Sequence, residues 1–350
     1  ILAIAPLWQR GSALQPIQNR SASLPQQVLQ SFRKKAIPSM KKIVISESMD
    51  AQAVHSLRAH CEVVYDPALV DDAPRLHAAV ADADALIVRN RTQVRGALLA
   101  AMARVRVLGR LGVGLDNIDV GACQARGVRV IAATGANAAA VAEYVLAAAF
   151  ILLRGAWHAS AEVAAGHWPR TRLSGGREIA GKTLGLVGFG SIGQETARLA
   201  QAVGMRALAY DPAIAAHAPL WQHSGVAPCE LDALLAQCDV VSLHLPLVEA
   251  TKNLLSATRL AHMKPGAVLV NAARGGVCDE AAVAHLLRSG HLGGAAFDVF
   301  ADEPLPADSP WAHCPNVLLT PHVAGITVES NQRVSTLIAR KVLAALEAAA

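Results

Sequence analysis

From position 42 onward, short aliphatic runs alternate with stretches of helical spacing. "KIVIS", "EVVYD", "ALIVR", "VRVLGRL" and "VRVIAA" read as strands, with helices over 50–59 and near 73–81 among them. This βαβα rhythm specifies a parallel sheet covered by helices. A long helical stretch follows from about Ala138 to Ala165, and the rhythm then restarts at "TLGLVGFGSIG". It continues through "RALAYDP", "DVVSLHLP", "AVLVNAAR", "GGAAFDVF" and "NVLLTPH". The tail "VESNQRVSTLIARKVLAALEAA" is helical by its apolar spacing and is expected to pack back on the first unit, making that unit discontinuous.

The 350 residues, 53% hydrophobic and 17% charged, are enough for a sizeable core and for two domains. A formal charge of +5 invites a nucleic-acid reading. Residues 1–39 carry Arg10, Arg20, Arg33, Lys34 and Lys35 and no acid, so they account for the whole excess. The remainder is neutral and points to no polyanionic partner. Those first 39 residues, rich in Gln, Ser and Pro, are expected to be a disordered extension upstream of a natural start at Met40; an organellar presequence is the rival reading. The apolar run "VLAAAFILL" is too short to span a bilayer. Six cysteines without CxxC or His-paired spacing read as buried free thiols of a reducing, cytoplasmic compartment, with no metal site.

The restart carries Gly188, Gly190 and Gly193 in G-x-G-x-x-G register between an apolar strand and a helix. The first glycine permits a tight turn, the second lets backbone reach a pyrophosphate, and the third lets helix pack close to strand. Ser191 and Ile192 complete the loop, where a helix N-terminus offers N–H groups to phosphate. Asp211 ends the next strand, placed to accept from a ribose 2′-OH and to repel a 2′-phosphate. The expectation is NAD rather than NADP. The fold class is α/β, with two Rossmann/flavodoxin-like parallel-sheet domains and a cleft between them. Residues 40–137 plus about 326–350 would form the substrate-binding domain, and about 138–325 the NAD-binding domain.

Further motifs follow in order: "HLPL", "MKPGAVLVNAARGGVCDE", "GGAAFDVFADEPLP" and "TPHVAGIT". Together with the glycine loop they resemble the D-isomer-specific 2-hydroxyacid dehydrogenase family, which includes phosphoglycerate, glycerate and formate dehydrogenases. The resemblance implies that Arg274 binds substrate, that His322 is the catalytic histidine and that Glu303 pairs with it. Reducing a 2-keto acid requires a hydride at carbon and a proton at oxygen, and His322, its pKa raised by Glu303, would supply the proton. Asp298 resembles the residue that contacts the nicotinamide carboxamide, or else caps a strand end. Ala272 and Ala273 would present backbone nearby, and Ala324 and Gly325 would leave room for the nicotinamide.

In the first unit "LIVRNRTQV", with Arg89, Asn90 and Arg91, and "GRLGVGLDNID", with Val113 and Gly114, resemble the family's substrate loops. "TGANAAAVAEY" resembles its hinge helix, with Asn137 reaching toward the nicotinamide; Thr134, Ala140 and Tyr144 depart from the usual residues. Arg89 and Arg91 bracketing Asn90 would neutralise a second anion on the substrate, unless one or both point to solvent. Within the family these stretches look most like the bacterial sulfolactate dehydrogenases. Phosphoglycerate and hydroxypyruvate or glyoxylate remain the alternatives. The partners expected are a small anionic 2-hydroxy or 2-keto acid and a second copy of the chain, with neither nucleic acid nor membrane. The Ala-rich helix from 138 to 154 suits a dimer contact or core packing within the chain. A reading of another class, an NAD-sensing corepressor, would share the same three residues without turning over substrate.

Overall fold

The structure, a computed structural model, describes residues 40–348. The extension expected at 1–39 lies outside the described residues. The first sheet contains β1 (Lys42–Ile45), β2 (Glu62–Tyr65), β3 (Ala85–Val88), β4 (Val107–Arg110) and β5 (Arg129–Ala132) in the order β2-β1-β3-β4-β5. The second contains β6 (Thr183–Val187), β7 (Arg206–Tyr210), β8 (Ala227–Pro228), β9 (Val240–Leu243), β10 (Val268–Asn271), β11 (Gly294–Phe297) and β12 (Val317–Leu319). Its order is β12-β11-β10-β9-β6-β7-β8, and every pairing in both sheets is parallel. The first is the flavodoxin-like order and the second the dinucleotide-binding order. Their strand sequences reverse between β1 and β3 and between β6 and β9, and ligands gather beyond the strand ends at such points. Strands β3, β9, β10 and β11 are buried along their whole length, as helices on both faces require.

The helix Ala138–Arg154 packs on the helix Ser191–Ala202 and on the second sheet through Val141, Val145, Ala148, Ala149 and Leu152. It stops eleven residues short of the expected end. Gly155 takes a left-handed φ of 66° and its N–H bonds Ile151 O at 2.8 Å, which caps the helix. The chain then runs on at 68° through a 3₁₀ turn and the helix Ser160–Ala164. The Ala-rich face considered for a dimer contact is therefore core within the chain. Phe150, Trp157, Val163 and Trp168 remain exposed along and after it.

The helix Val328–Ala348 returns to the first sheet, where Val334, Ile338, Val342 and Leu346 pack on Ile43, Ile45, Val107 and Ile131. Burying each such side chain stabilises by roughly 1.5–3 kcal/mol. Gly109 admits the helix: a Cβ there would lie 2.8 Å from Ile338 Cγ2. Polar ties fix the register, from Asp50 N–H to Ser335 Oγ (3.1 Å) and from Arg333 Nε to Ala136 O (3.0 Å). All six cysteines are unpaired. Four are buried as expected, whereas Cys229 and Cys314 are only partly so. Among the described residues no single helix is long and apolar enough to cross a membrane, and no group of three metal-ligating side chains converges.

Candidate active site

The glycine loop leaves β6 with Gly188 at φ 99°, where a Cβ would meet His244 O at 2.6 Å. A Cβ on Gly193 would lie 2.4 Å from Gly188 O, so the helix Ser191–Ala202 starts pressed against the strand end. Gly190 differs from both, since nothing lies within 4 Å of its Cβ position. No side chain caps the helix start, which leaves the amides of Ser191, Ile192 and Gly193 to a ligand. Asp211 accepts from Phe189 N–H at 2.8 Å and Ala213 N–H at 3.0 Å, tying its carboxylate to the glycine loop. Each oxygen keeps a further lone pair for a ribose hydroxyl. On the other side of the cleft, Asn137 Oδ1 is buried without a partner. Such an orphan calls for a donor. Open space at Gly190, an uncapped helix start, a carboxylate at the strand end and this orphan fit NAD.

The turn after β10 is fixed by Asn271, a buried residue inside the quoted motif to which the sequence reading gave no role. Its Oδ1 accepts from Ala273 N–H at 3.1 Å and its Nδ2 donates to Arg274 O at 2.9 Å, which sets Ala272, Ala273 and Arg274 in one turn. Gly275 lets this turn cross the next loop: a Cβ there would lie 1.8 Å from Phe300 O. That loop carries Glu303, whose Oε1 accepts from Phe300 N–H at 3.0 Å, while Glu280 holds Ala301 N–H at 2.7 Å.

His322 occupies a left-handed φ of 58°, a conformation a non-glycine residue adopts at a cost of roughly 1–3 kcal/mol. Asp298 holds it there. The buried Asp298 carboxylate accepts from Thr320 Oγ1 (2.6 Å), Val323 N–H (2.8 Å) and Ala324 N–H (2.8 Å), and its carbonyl accepts from His322 N–H (2.8 Å). Asp298, read as a carboxamide contact or a strand-end cap, uses its carboxylate in the structure to cap the turn after β12 that carries the histidine. Tyr144, one of the departures in the hinge helix, donates to Thr320 Oγ1 at 2.7 Å and so supports the same turn. Gly325 lies against Asn137, whose Nδ2 would be 2.8 Å from a Cβ there. His322 Nδ1 stands 2.8 Å from Glu303 Oε2.

In the first unit the chain after β3 wraps around the buried carboxylate of Glu47. Its oxygens accept from the N–H groups of Arg89 (2.8 Å), Asn90 (3.2 Å), Arg91 (3.1 Å) and Thr92 (3.0 Å). Burial pushes this carboxyl up, and the backbone N–H bonds outweigh it, leaving the pKa below the usual range. Arg89 and Arg91 point to different partners, the alternative in which one of the two turns to solvent. Arg91 is exposed and ion-paired with Asp71. Arg89 instead donates to Ser48 O (3.1 Å) and to Asn331 Oδ1 (2.9 Å).

Arg110, at the end of β4, was not among the expected site residues. Its Nε is buried without a partner; burial, and next the Arg274 charge, pull its pKa down to about 10, with Arg89 adding to the repulsion. Among the described residues neither Arg89 nor Arg110 has an ion-pair partner. Glycines make room for two guanidiniums along this loop. A Cβ on Gly112 would fall 1.2 Å from Arg110 Nη1, and one on Gly114 1.5 Å from Arg274 Nη2. Neither Val113 nor Gly114 donates its amide to a backbone carbonyl, so both N–H groups stay available to a carboxylate.

A dinucleotide loop, a carboxylate-bound histidine and an arginine at the facing strand ends define a nicotinamide-dependent oxidoreductase of small anionic alcohols or ketones. Residues 146–324 match the family described as D-isomer specific 2-hydroxyacid dehydrogenase, NAD binding domain. The chain is 50% identical over 307 residues to the (S)-sulfolactate dehydrogenase of Chromohalobacter salexigens, covering 88% of this chain and 99% of that one. It is 41% identical over 306 residues to the D-3-phosphoglycerate dehydrogenase of Mycobacterium leprae, covering 87% of this chain and 56% of that longer one. A D-lactate dehydrogenase from Aquifex aeolicus, solved with NAD and lactic acid, superposes with a TM-score of 0.76 at 26% identity, covering 88% of this chain and 96% of that one. The chain belongs to the D-isomer specific 2-hydroxyacid dehydrogenase family and is an NAD-dependent oxidoreductase.

Proposed function

We propose that the substrate is a doubly anionic 2-hydroxy acid of the sulfolactate type, interconverted with the corresponding 2-keto acid. The observation that carries this reading is Arg110, a half-buried guanidinium without an ion-pair partner, whose Nη1 donates to Leu111 O at 3.2 Å while its Nε is buried and unpartnered, within electrostatic reach of Arg89 and Arg274. A partly desolvated cation without a counter-ion is costly. A second anionic group on the substrate would relieve that cost, while the substrate carboxylate takes Arg274 and the amides of Val113 and Gly114. The (S)-sulfolactate dehydrogenase relative supports the same chemistry. Its S label is consistent with a D-specific family, because sulfur outranks the carboxyl group in naming priority. A substrate phosphate, as in the phosphoglycerate relatives, is the second choice.

Bound NAD supplies the hydride acceptor. In the residues, a carboxylate on Nδ1 leaves Nε2 of His322 as the nitrogen that takes the alcohol proton on oxidation and returns it on reduction. Arg274 would polarise the developing keto oxygen. The assignment of these side chains is tested by following NADH oxidation at 340 nm with sulfopyruvate, phosphohydroxypyruvate, hydroxypyruvate and glyoxylate. Turnover of the first at the highest kcat/KM is expected. Reaction with only the last two would remove the second-anion argument, and no turnover with any would favour the corepressor reading.

A cytoplasmic location is supported by the unpaired thiols, which persist in a reducing compartment. A homodimer is supported by Phe150, Trp157, Val163 and Trp168, large apolar side chains exposed within nineteen residues of sequence. Sedimentation at micromolar concentration tests it.

A further inference from the structure

The loop after β4 and the turn after β10 belong to different sheets, and one ion pair joins them. Nε and Nη2 of Arg274 lie 3.0 and 2.9 Å from the same oxygen, Oδ2 of Asp116. Among the described residues no other salt bridge links the two sheets' units. On its other flank Arg274 donates through Nη1 to Ala273 O at 2.5 Å. Two of its five N–H donors are then hydrogen-bonded, one on Nε and one on Nη1, and Nη2 is in ion-pair contact, so donors on both Nη1 and Nη2 remain to form the end fork of the guanidinium. Gly114 keeps the approach clear, since a Cβ there would lie 1.5 Å from Nη2 and 2.7 Å from the Asp116 carboxylate.

We propose that Asp116 is a positioning residue, which holds the side edge of Arg274 so that its end fork is presented to the substrate's carboxylate and keto oxygen. This rests on the reading that Arg274 binds substrate. A free arginine side chain carries roughly 2 kcal/mol of rotamer entropy. The two flanking bonds remove much of that freedom before substrate arrives. Arg110 makes the carboxylate more necessary, because its guanidinium and that of Arg274 repel each other, and Asp116 opposes that repulsion. Burial raises the Asp116 pKa, but the bond and charge of Arg274 outweigh it and keep the carboxyl below its ordinary value. Asp116 is more than half exposed, so replacing it leaves the core untouched.

The test compares Asp116→Ala and Asp116→Asn in the full chain. The probe is oxamate, an unreactive isostere of a 2-keto acid, titrated into the enzyme–NADH complex by fluorescence. In the alanine variant the oxamate Kd is expected to rise, and kcat/KM for the best keto acid to fall, at least tenfold. NADH affinity and Tm should not change. The asparagine variant keeps an acceptor oxygen but not the charge, and its loss should be smaller than that of the alanine variant. Oxamate affinity within twofold of the parent in the alanine variant would overturn the proposal. So would tighter binding, because Asp116 would then compete with the substrate carboxylate for Arg274. Arg274→Met separates the two claims: unchanged oxamate binding there would remove the substrate-binding role of Arg274 itself, whatever Asp116 does.

Discussion

Glu303 Oε2 accepts the Nδ1 proton of His322 across 2.8 Å, from a loop nineteen residues upstream. A carboxylate only accepts, so the pair fixes which nitrogen carries the standing proton and leaves Nε2 for chemistry. Glu303→Gln offers an amide that can donate to Nδ1 and stabilise the other tautomer. We expect kcat to fall by about 10²–10⁴, the range of a lost acid–base contribution. NADH affinity by fluorescence titration should be little changed, and a kcat within threefold of the parent would refute the pairing's role.

Gly190 and Gly193 share a motif and make opposite predictions. Gly190→Val enters open space, so Tm should hold while the NADH Kd rises at least tenfold. Gly193→Ala puts a Cβ 2.4 Å from Gly188 O, so stability should fall by about 1–3 kcal/mol as overpacking does. Thermal melting with and without NADH separates them.

Asp211→Ala should erode the preference for NADH over NADPH, read as the ratio of kcat/KM values, by tenfold or more. The carboxylate that would accept from a ribose hydroxyl and repel a 2′-phosphate is gone. An unchanged ratio would remove its role.

Arg110→Met removes a half-buried charge that has no ion-pair partner, with little loss of volume. Stability should be unchanged or higher, as with other buried charges replaced by apolar groups. The KM of a doubly anionic keto acid should rise at least tenfold, against less than threefold for glyoxylate. Equal effects on both would place Arg110 outside the second-anion site.

Glu47→Gln addresses pH. The Glu47 pKa is lowered in the folded state, so its contribution is fully present above the unfolded value near 4.5 and is lost as pH falls through the folded value. The variant should melt a few degrees below the parent at pH 7, and the gap should close in acid. A gap independent of pH would assign the loss to geometry rather than charge.

The sequence announced the strands through their apolar runs, and the boundaries lie within one to three residues of those read from "KIVIS" or "AVLVNAAR". The two-residue β8 escaped because a bridge that short has no period. Gly155 was readable as a stop, yet the apolar run on either side concealed the break. Arg91 shows a different limit. Its place beside Asn90 left open whether it meets a ligand or solvent, and four N–H bonds to one carboxylate 42 to 45 residues away set the course of the chain there.

The chain's order of motifs alone determined the class: parallel α/β units, NAD, and a trio of arginine, glutamate and histidine. Those properties are local, set by which residue follows which within one strand and one loop. The structure alone decided which groups the Asp298 carboxylate holds, that Arg110 rather than Arg91 stands without an ion-pair partner beside Arg89, and that Asp116 grips Arg274 from 158 residues away. These depend on which strand ends face each other across the cleft. Sequence spacing carries no record of that, because a hydrogen bond is set by distance in space.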